Sequence, residues 1–187
     1  MNKKGFTLIE LVVVIVILGI LGVLAAPRFL DIQRDAKIAT LEATKGALES
    51  AFDMFAAEVQ VSDGEISKCK ASLQGSLDCI IIDGVEVAFN DIDYHPILNP
   101  FGNSLKQLLT LANIDVKASD KEDYSYDLNY EDDFDHTSLS SGFWIFPKFD
   151  GGYLAIETYK CKIHYMPANH SLNDGRESVF VLETDDC

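Results

Sequence analysis

The chain has 187 residues, which suffices for one domain of ordinary size and an appendage. Its 15 Lys and Arg residues against 30 Asp and Glu residues give a net charge of −15, which argues against a protein that grips nucleic acid phosphates through a basic face. The 11 Phe and 7 Tyr residues are enough to build a packed core, so a largely disordered chain is excluded.

The amino-terminal stretch is long and apolar. Phe6 to Ala26 contains Glu10 as its one charged residue, and as a helix it would be about 31 Å long, enough to cross a bilayer core. Lys3 and Lys4 precede it and predict that its start stays on the cytoplasmic side. A removable secretory signal is the alternative, but its apolar region would be only about 7 to 15 residues long. The sequence therefore predicts an anchor, with the remainder of the chain outside the cytoplasm.

Glu10 lies in a specific sequence pattern. A carboxylate inside an apolar helix costs on the order of 2.5 to 3.5 kcal/mol, so a functional partner is expected unless the side chain reaches the headgroup layer. The pattern has two lysines, then Gly5, Phe6, Glu10 and an unbroken apolar run from Leu11. It resembles the leader and amino-terminal helix of type IV pilins and type II secretion pseudopilins. The stretch that continues through Pro27 is most similar to the mannose-sensitive haemagglutinin pilins.

This resemblance implies a processing reaction and a filament. A prepilin peptidase would remove residues 1–5 by cutting between Gly5 and Phe6, and would methylate the new Phe6 amine. Glu10 would then be the partner of that amine in the filament, where each charge removes the desolvation problem of the other. The implied partners are copies of the same chain, the peptidase and N-methyltransferase, and the inner-membrane assembly machinery. The head would be periplasmic before assembly and extracellular afterwards.

An amphipathic pattern follows the apolar stretch without a loop signal. Apolar residues recur at helical spacing and predict that one long helix continues to about Val61: Leu41, Leu48, Phe52, Phe55 and Val59. Gly19, Gly22 and Pro27 weaken this helix, so a kink or a melted segment is expected between them. In pilins a loosened segment here accompanies packing into the filament, and the resemblance assigns these three residues to assembly.

The remaining residues read as a globular head. Cys79–Ile82 and Val85–Phe89, separated by Asp83 and Gly84, predict a hairpin, and Ser104–Ile114 predicts a short helix that Asn103 or Ser104 caps. Further strands are predicted at Phe143–Phe146, Tyr153–Thr158, Cys161–Met166 and Ser178–Glu183. The predicted fold class is α+β, in which the long helix packs on a head with an antiparallel sheet. The predicted divisions are a leader (1–5), a membrane or filament-core helix (6–27), its amphipathic continuation (28–61) and the head (62–187).

The four cysteines all follow the predicted anchor, where oxidation is the default. Of the three pairings they allow, Cys69 with Cys79 and Cys161 with Cys187 is the most local. The second pair resembles the carboxy-terminal loop that many pilins close with a disulfide. The alternative is that Cys161 and His164 form half of a zinc site, but no second pair of ligands has the required spacing.

Acidic residues are concentrated between Asp120 and Asp135, with only Lys121 to offset them. Oxygen-rich segments can bind Ca²⁺, but the spacing of a calcium-binding loop is not met from Asp127 onward. The prediction is a solvated acidic loop, with a cation site as the alternative.

Neither catalysis nor a cofactor is indicated. His95, His136, His164 and His170 have no Ser or Cys nucleophile in a recognisable motif beside them, and no phosphate-binding glycine loop is present. We therefore expect no enzyme, no cofactor and no metal site. Trp144 is expected in the core, with a sugar-stacking surface as the alternative.

The sequence as a whole favours a type IV pilin of the haemagglutinin type, a structural subunit for attachment and biofilm formation. A pseudopilin of a type II secretion system is the first alternative. The second is a membrane-tethered binding domain that never polymerises.

The first prediction concerns processing. Because the apolar run is too long for a conventional signal and begins after Gly5, the mature chain should start at methylated Phe6. Mass spectrometry of the protein from cells measures this directly. A mature chain that starts at Pro27 or Arg28 would instead identify a secreted soluble domain.

Overall fold

The computed structural model describes residues 6–62, 66–69, 77–98, 104–118, 128–135, 140–148, 155–173 and 175–187, without the side chains of residues 26–30, 131, 134, 135, 140 and 141. The predicted leader, residues 1–5, lies outside this part of the chain. Two compact units are present, one ending at Lys37 and the other comprising Ile38–Cys187.

A single helix, α1, runs from Leu8 to Val61 and confirms the long helix predicted from the sequence. Its backbone is helical through Gly19, Gly22 and Pro27, so the predicted melted segment is wrong for the single chain. A proline removes one hydrogen bond from the helix, while leucine and alanine neighbours favour helical backbone and keep their own bonds.

The predicted apolar stripe is the face of α1 that the second unit buries. Its five members are at most 3% exposed: Leu41, Leu48, Phe52, Phe55 and Val59. Burying each such side chain contributes about 1.5 to 3 kcal/mol relative to leaving it in water. Packing on this face therefore stabilises the second half of α1 far more than helix propensity does.

The first sheet contains the predicted hairpin. Its antiparallel strands lie in the order β1 (Ser67–Lys68), β2 (Asp78–Ile82), β3 (Val85–Phe89) and β4 (Pro96–Ile97). Asp83 and Gly84 connect β2 to β3 with φ values of 49° and 75°, the positive values that a tight hairpin turn requires. Ile80, Val87 and Phe89 form a buried cluster with Phe55 and Val59 of α1, so this sheet covers the end of the helix.

The second sheet follows a short helix, α2 (Ser104–Leu111). Its strands lie in the order β5 (Lys117–Ala118), β6 (Leu128–Asp135), β7 (Ser140–Pro147), β8 (Lys162–Met166) and β9 (Val179–Glu183). All neighbours are antiparallel except β5 and β6, which are parallel. The α+β class is confirmed, although the head has two sheets where the sequence predicted one.

Aromatic side chains from the second sheet pack on α1. The ring centroid of Phe52 lies 5.0 Å from that of Tyr165 and 5.2 Å from that of Phe180, and Phe143 stacks on Tyr165 at 5.1 Å. The Tyr165 hydroxyl donates a 2.8 Å hydrogen bond to the carbonyl of Pro96 in β4. Complete burial raises the pKa of Tyr165, so the hydroxyl stays protonated and joins the two sheets.

The strand predicted at Tyr153–Thr158 is wrong over residues 155–158, which form a turn, and residues 153–154 lie outside the described part. The Tyr159 amide donates to the Ala155 carbonyl at 3.0 Å, which closes the turn. The carbonyls of Ile156 and Glu157 then accept hydrogen bonds of 2.9 and 2.7 Å from the Lys162 ammonium. The turn thus provides two acceptors for the buried Lys162 ammonium. An extended strand would provide fewer.

The predicted acidic loop is also wrong where the structure describes it, since residues 128–135 form β6 and residues 120–127 are not described. Tyr130 is 3% exposed and fixes this strand in the core. Asp132 accepts hydrogen bonds from the hydroxyls of Tyr130 (2.8 Å) and Ser104 (3.0 Å). The Ser104 hydroxyl, which was one of the two candidates to cap α2, is therefore bonded to β6. Burial raises the pKa of Asp132 despite these bonds.

Asp93 ties the loop between β3 and β4 to the start of β9. Its carboxylate accepts hydrogen bonds from the amide and hydroxyl of Ser178, from the His95 amide and from the Asn90 side chain. Burial by itself would raise the pKa of Asp93, but the bonds from Ser178, Asn90 and His95 outweigh burial and lower it.

The second prediction follows from this tie. A carboxylate with a lowered pKa stabilises the fold fully above its unfolded pKa, about 3.9, and loses that contribution as the pH falls through the folded value. Asp93→Asn should lower the free energy of unfolding at pH 7 by about 1.5 to 3 kcal/mol and make the remaining stability less sensitive to acid below pH 4. Thermal unfolding of the detergent-solubilised chain between pH 3 and 7 measures both effects.

Asp91→Asn is the matched control, because Asp91 is exposed in the same loop. Asp91→Asn should leave the loss of stability below pH 4 as it is in the unaltered chain. Equal acid sensitivity in Asp93→Asn and the unaltered chain would contradict the role given to Asp93.

Candidate functional site

The predicted processing position lies at the start of the described chain. Phe6 is 76% exposed, and Gly5 before it lies outside the described residues. α1 begins at Leu8, so the Gly5–Phe6 bond precedes the helix by more than one residue. A backbone that is not committed to a helix can enter a peptidase site in extended form.

Thr7 and Glu10 form a reciprocal cap on the first turn of α1. The Thr7 amide and hydroxyl donate hydrogen bonds of 2.8 and 2.6 Å to Oε2 of Glu10, and the Glu10 amide approaches the Thr7 hydroxyl at 3.4 Å. This is the capping box, in which two side chains satisfy amides that lack a helical partner. Glu10 therefore has a partner within its own chain, which the sequence analysis did not foresee although the Thr-x-x-Glu spacing encodes it.

The first unit presents an apolar surface on every side of the helix. Leu8–Ala25 is long and apolar enough to span a membrane, with a mean hydropathy of 3.1 and none of its residues buried. Its large side chains are 42–79% exposed. Such a surface needs an apolar cover, either lipid or other helices.

Gly19 and Gly22 lie on this surface. An added Cβ at either position would meet no atom within 4 Å. Within the single chain neither glycine is therefore needed to make room for a packed neighbour. Pro27 belongs to the helical backbone of the same unit.

Two disulfides cross-link the head. Of the three ways to pair the four cysteines, the structure has the one that joins cysteines close in sequence. Cys69 is bonded to Cys79, and Cys161 to Cys187, with Cα–Cα distances of 5.1 and 4.9 Å. The second bond fixes the last residue of the chain and closes a loop with a sequence separation of 26, worth about 3 kcal/mol in the chain-entropy model. Because Cys161 is oxidised, it offers no thiolate, and the zinc site of Cys161 with His164 is excluded.

His164 instead belongs to a cluster that spans three segments of the second unit. Its Nε2 is hydrogen-bonded to Oδ2 of Asp133 in β6, and Nε2 of His170 lies 3.4 Å from the same oxygen. One ligand-type atom from each residue lies within 4.8 Å of the other two. Burial alone would raise the pKa of Asp133, but the two imidazoles lower it to about 2.

Gly142 makes room for this cluster. It is paired with Asp133 across β6 and β7, between Asp133 and the strand that carries His164. A Cβ at Gly142 would overlap the Tyr165 carbonyl oxygen and lie 3.6 Å from the Asp133 Cβ. A glycine therefore lets three strands approach closely where Asp133 reaches toward β8.

The other candidate residues lie elsewhere or are buried. His95 contacts Asp53 of α1 at 3.3 Å, and His136 lies outside the described residues. Trp144 is 8% exposed and packs with Phe146 and Ile156, so it is a core residue and cannot present a sugar-stacking surface.

An exposed apolar helix with a capped start continues into a helix half that packs in a disulfide-bonded α+β head. This arrangement is that of a membrane-anchored protein. The comparisons are specific for its amino-terminal part. Residues 1–26 match the prokaryotic N-terminal methylation motif. Over 52 residues the chain is 54% identical to the type IV narrow pilus major component PilA5 of Thermus thermophilus. No solved structure gives a significant match.

The similarity to PilA5 covers 28% of this chain and 45% of that relative, so less than half of the relative is matched. The resemblance to type IV pilins is thereby confirmed at the level of the family. It is carried by the amino-terminal segment. The matches are to a processing motif and to a filament component, which agrees with the expectation of a structural protein and not an enzyme.

The third prediction concerns Gly142. Gly142→Ala should lower the free energy of unfolding by about 1 to 3 kcal/mol, because the new methyl group meets a backbone carbonyl that cannot rotate away. Denaturant unfolding of the detergent-solubilised chain measures the change. Gly46→Ala is the matched control, since a Cβ there meets nothing within 4 Å, and in a helix it should stabilise by about 0.5 to 1 kcal/mol. Equal effects of both substitutions would contradict the close approach at Gly142.

Proposed function

We propose that the chain is the subunit of a type IV pilus of the mannose-sensitive haemagglutinin type, a surface filament for attachment and biofilm formation. The observation that carries the proposal is the uncovered apolar helix Leu8–Ala25, which lies within the residues 1–26 that match the methylation motif. Lipid covers this helix before assembly, and the helices of neighbouring subunits cover it in the filament.

The charge distribution supports such an assembly. Among residues 6–25 Glu10 is the one charged residue, so the excess of acidic groups belongs to the remainder of the chain. Apolar helices then associate in the filament core while acidic heads remain in water. The contact is heterologous and does not close, so it propagates as a helix.

Processing would generate the charge that Glu10 needs. Cleavage between Gly5 and Phe6 creates an amine two residues before the helix, and the peptidase methylates it. Both Thr7 hydrogen bonds end on Oε2 of Glu10, so within the described chain Oε1 remains for the amine of an adjacent subunit. In hydrocarbon such a pair is far less costly than either charge alone.

Gly19, Gly22 and Pro27 would act at the next stage. The helix is continuous in the single chain, so any loosening between Gly19 and Pro27 belongs to assembly. Glycine and proline lower the cost of opening the backbone there by about 1 and 3 kcal/mol each relative to alanine. The proposed position of the head is periplasmic before assembly and extracellular afterwards.

A pseudopilin would share the motif and the helix. The similarity to a named major pilus component favours the pilin, since it extends over 52 residues, beyond the motif itself. A tethered binding domain would share the membrane helix but would have no use for a charge pair between subunits.

The fourth prediction tests the role of Glu10. Glu10→Ala should leave the protein expressed, inserted and cleaved, because Gly5 is unchanged, yet sharply reduce surface filaments. Removing one partner of a buried charge pair costs roughly 3 to 5 kcal/mol because the other is stranded. The measurement is the yield of sheared filaments beside the membrane pool in a strain without the native copy.

Two further variants separate charge from capping. Glu10→Gln keeps a side chain that can complete the capping box but cannot neutralise an amine, so it should lose filaments as well. Thr7→Ala removes the hydroxyl of the cap and keeps the carboxylate, so it should retain most filaments. Normal filaments from Glu10→Gln would assign Glu10 to capping alone, and no filaments from the unaltered chain would favour the tethered domain.

A further inference from the structure

The cluster of Asp133, His164 and His170 lies on the face of the second sheet that points away from α1. Directly paired residues share a face, and Trp144 is paired with His164 while Gly142 is paired with Asp133. Their neighbours in sequence, Phe143 and Tyr165, belong to the core on α1. Strand alternation therefore separates the cluster from the helix-packing core.

The chain holds His170 in place by its own hydrogen bonds. His170 follows β8, and its amide donates to the Pro167 carbonyl at 2.9 Å. Asn173 fastens the same loop, since its amide nitrogen donates to the carbonyls of Pro167 (3.2 Å) and Glu177 (2.8 Å). These bonds fix the backbone segment that carries the imidazole.

His170 carries an unsatisfied polar atom. The side chain is 2% exposed, and its Nε2 has no hydrogen-bond partner among the described residues, because the 3.4 Å approach to Asp133 lacks hydrogen-bond geometry. A buried polar atom without a hydrogen-bond partner is destabilising, so one that lies beside a carboxylate and a second imidazole calls for a ligand.

We propose that Asp133, His164 and His170 bind a divalent transition-metal ion of the Zn²⁺ class, and that this ion fastens β6, β8 and the segment after β8 to one another. Two imidazoles and one carboxylate are a ligand set for Zn²⁺, with a tetrahedral fourth position for water. Ca²⁺ and Mg²⁺ prefer oxygen ligands throughout, which two imidazoles do not supply.

Rearrangement of the side chains completes the site. In a tetrahedral Zn²⁺ site with bonds of about 2.0 to 2.1 Å, neighbouring ligand atoms are roughly 3.3 Å apart, so Asp133 and His164 must separate slightly, while ligand atoms that lie up to 4.8 Å apart must approach one another. A neutral imidazole binds metal through its unprotonated nitrogen, so both rings must carry the proton on Nδ1. At His170 a protonated Nδ1 can no longer accept the 3.3 Å hydrogen bond from the Leu172 amide, so metal binding gives up that bond.

Lys162 is a positive charge close enough to interact with Asp133. Its ammonium already donates to two carbonyls and lies 3.6 Å from Glu183 and 5.3 Å from the Trp144 ring centroid. These partners offset its charge, so the net charge of the ligand set, −1 with neutral imidazoles, remains available to a cation.

The fifth prediction is that the full-length chain, solubilised in detergent, binds one Zn²⁺. Zinc at about one hundred times its dissociation constant should raise the unfolding temperature of the unaltered chain by about 5 to 10 °C. Co²⁺ should produce the visible absorption of a tetrahedral ion with nitrogen and oxygen ligands. His170→Gln should weaken Zn²⁺ binding, measured by equilibrium dialysis, by at least about ten-fold and abolish the Co²⁺ absorption.

His95→Gln is the matched control, since His95 lies outside the cluster and should keep the full zinc-induced shift. The unaltered chain by itself can overturn the proposal, whether or not a variant folds. If the unaltered chain shows neither stoichiometric Zn²⁺ binding nor Co²⁺ absorption, the proposal is wrong and the three residues interact only by hydrogen bonds. An equal zinc shift in His170→Gln would place the ion elsewhere. Neither result depends on filament formation, so failure here leaves the pilin proposal intact.

Discussion

The second unit depends on the burial of one face of α1 beneath the second sheet. Phe52 is fully buried, and its ring meets those of Tyr165 and Phe180 at 5.0 and 5.2 Å. A helix whose stripe of apolar residues faced water would not hold its position, so this contact sets which face of each strand points inward. Tyr165 extends the same contact to the first sheet through its bond to Pro96.

Strand β8 shows how that constraint reaches the outer face. Because Ile163 and Tyr165 point to α1, Lys162 and His164 must point the other way, toward Trp144 and Asp133. The outward residues are mostly covered, so their polar atoms need partners. Lys162 finds them in a turn and in Glu183, while His170 is left with an unsatisfied nitrogen. The proposed metal site thus arises where core packing has fixed the strands and polar satisfaction is incomplete.

The first unit obeys a different constraint. Among the described residues nothing covers the apolar side chains around this helix, so its stable surroundings must come from lipid or from other helices. Glu10 is compatible with those surroundings only when its charge is met, first by Thr7 and, in the proposed filament, by an amine. The cap and the proposed charge pair use different oxygens of one carboxylate, so the first does not compete with the second.

The features that could be predicted from the amino-acid sequence are those whose physical cause lies within a few residues. The apolar run, the amphipathic stripe from Leu41 to Val59 and the Asp83–Gly84 hairpin are each set by spacing or by backbone preference within a few residues. The pairing of the cysteines was foreseen because closing short loops is favoured, and the resemblance to pilins rests on contiguous residues. The strand predicted at Tyr153–Thr158 and the predicted acidic loop failed because burial and hydrogen bonding in the folded head decide those segments. Lys162 shapes the first, and Tyr130 draws the second into the core.

Only the tertiary structure brought Asp133, His164 and His170 together. Strand pairing across β7 joins residues with a sequence separation of 31, and a glycine opposite Asp133 admits the approach. Register between strands depends on how whole faces pack, because a shift of one residue turns every side chain to the other face. No spacing rule along the chain encodes that register, so the sequence indicated the anchor and the helix, while the pairing of the strands and the fold of the segment after β8 decided the cluster.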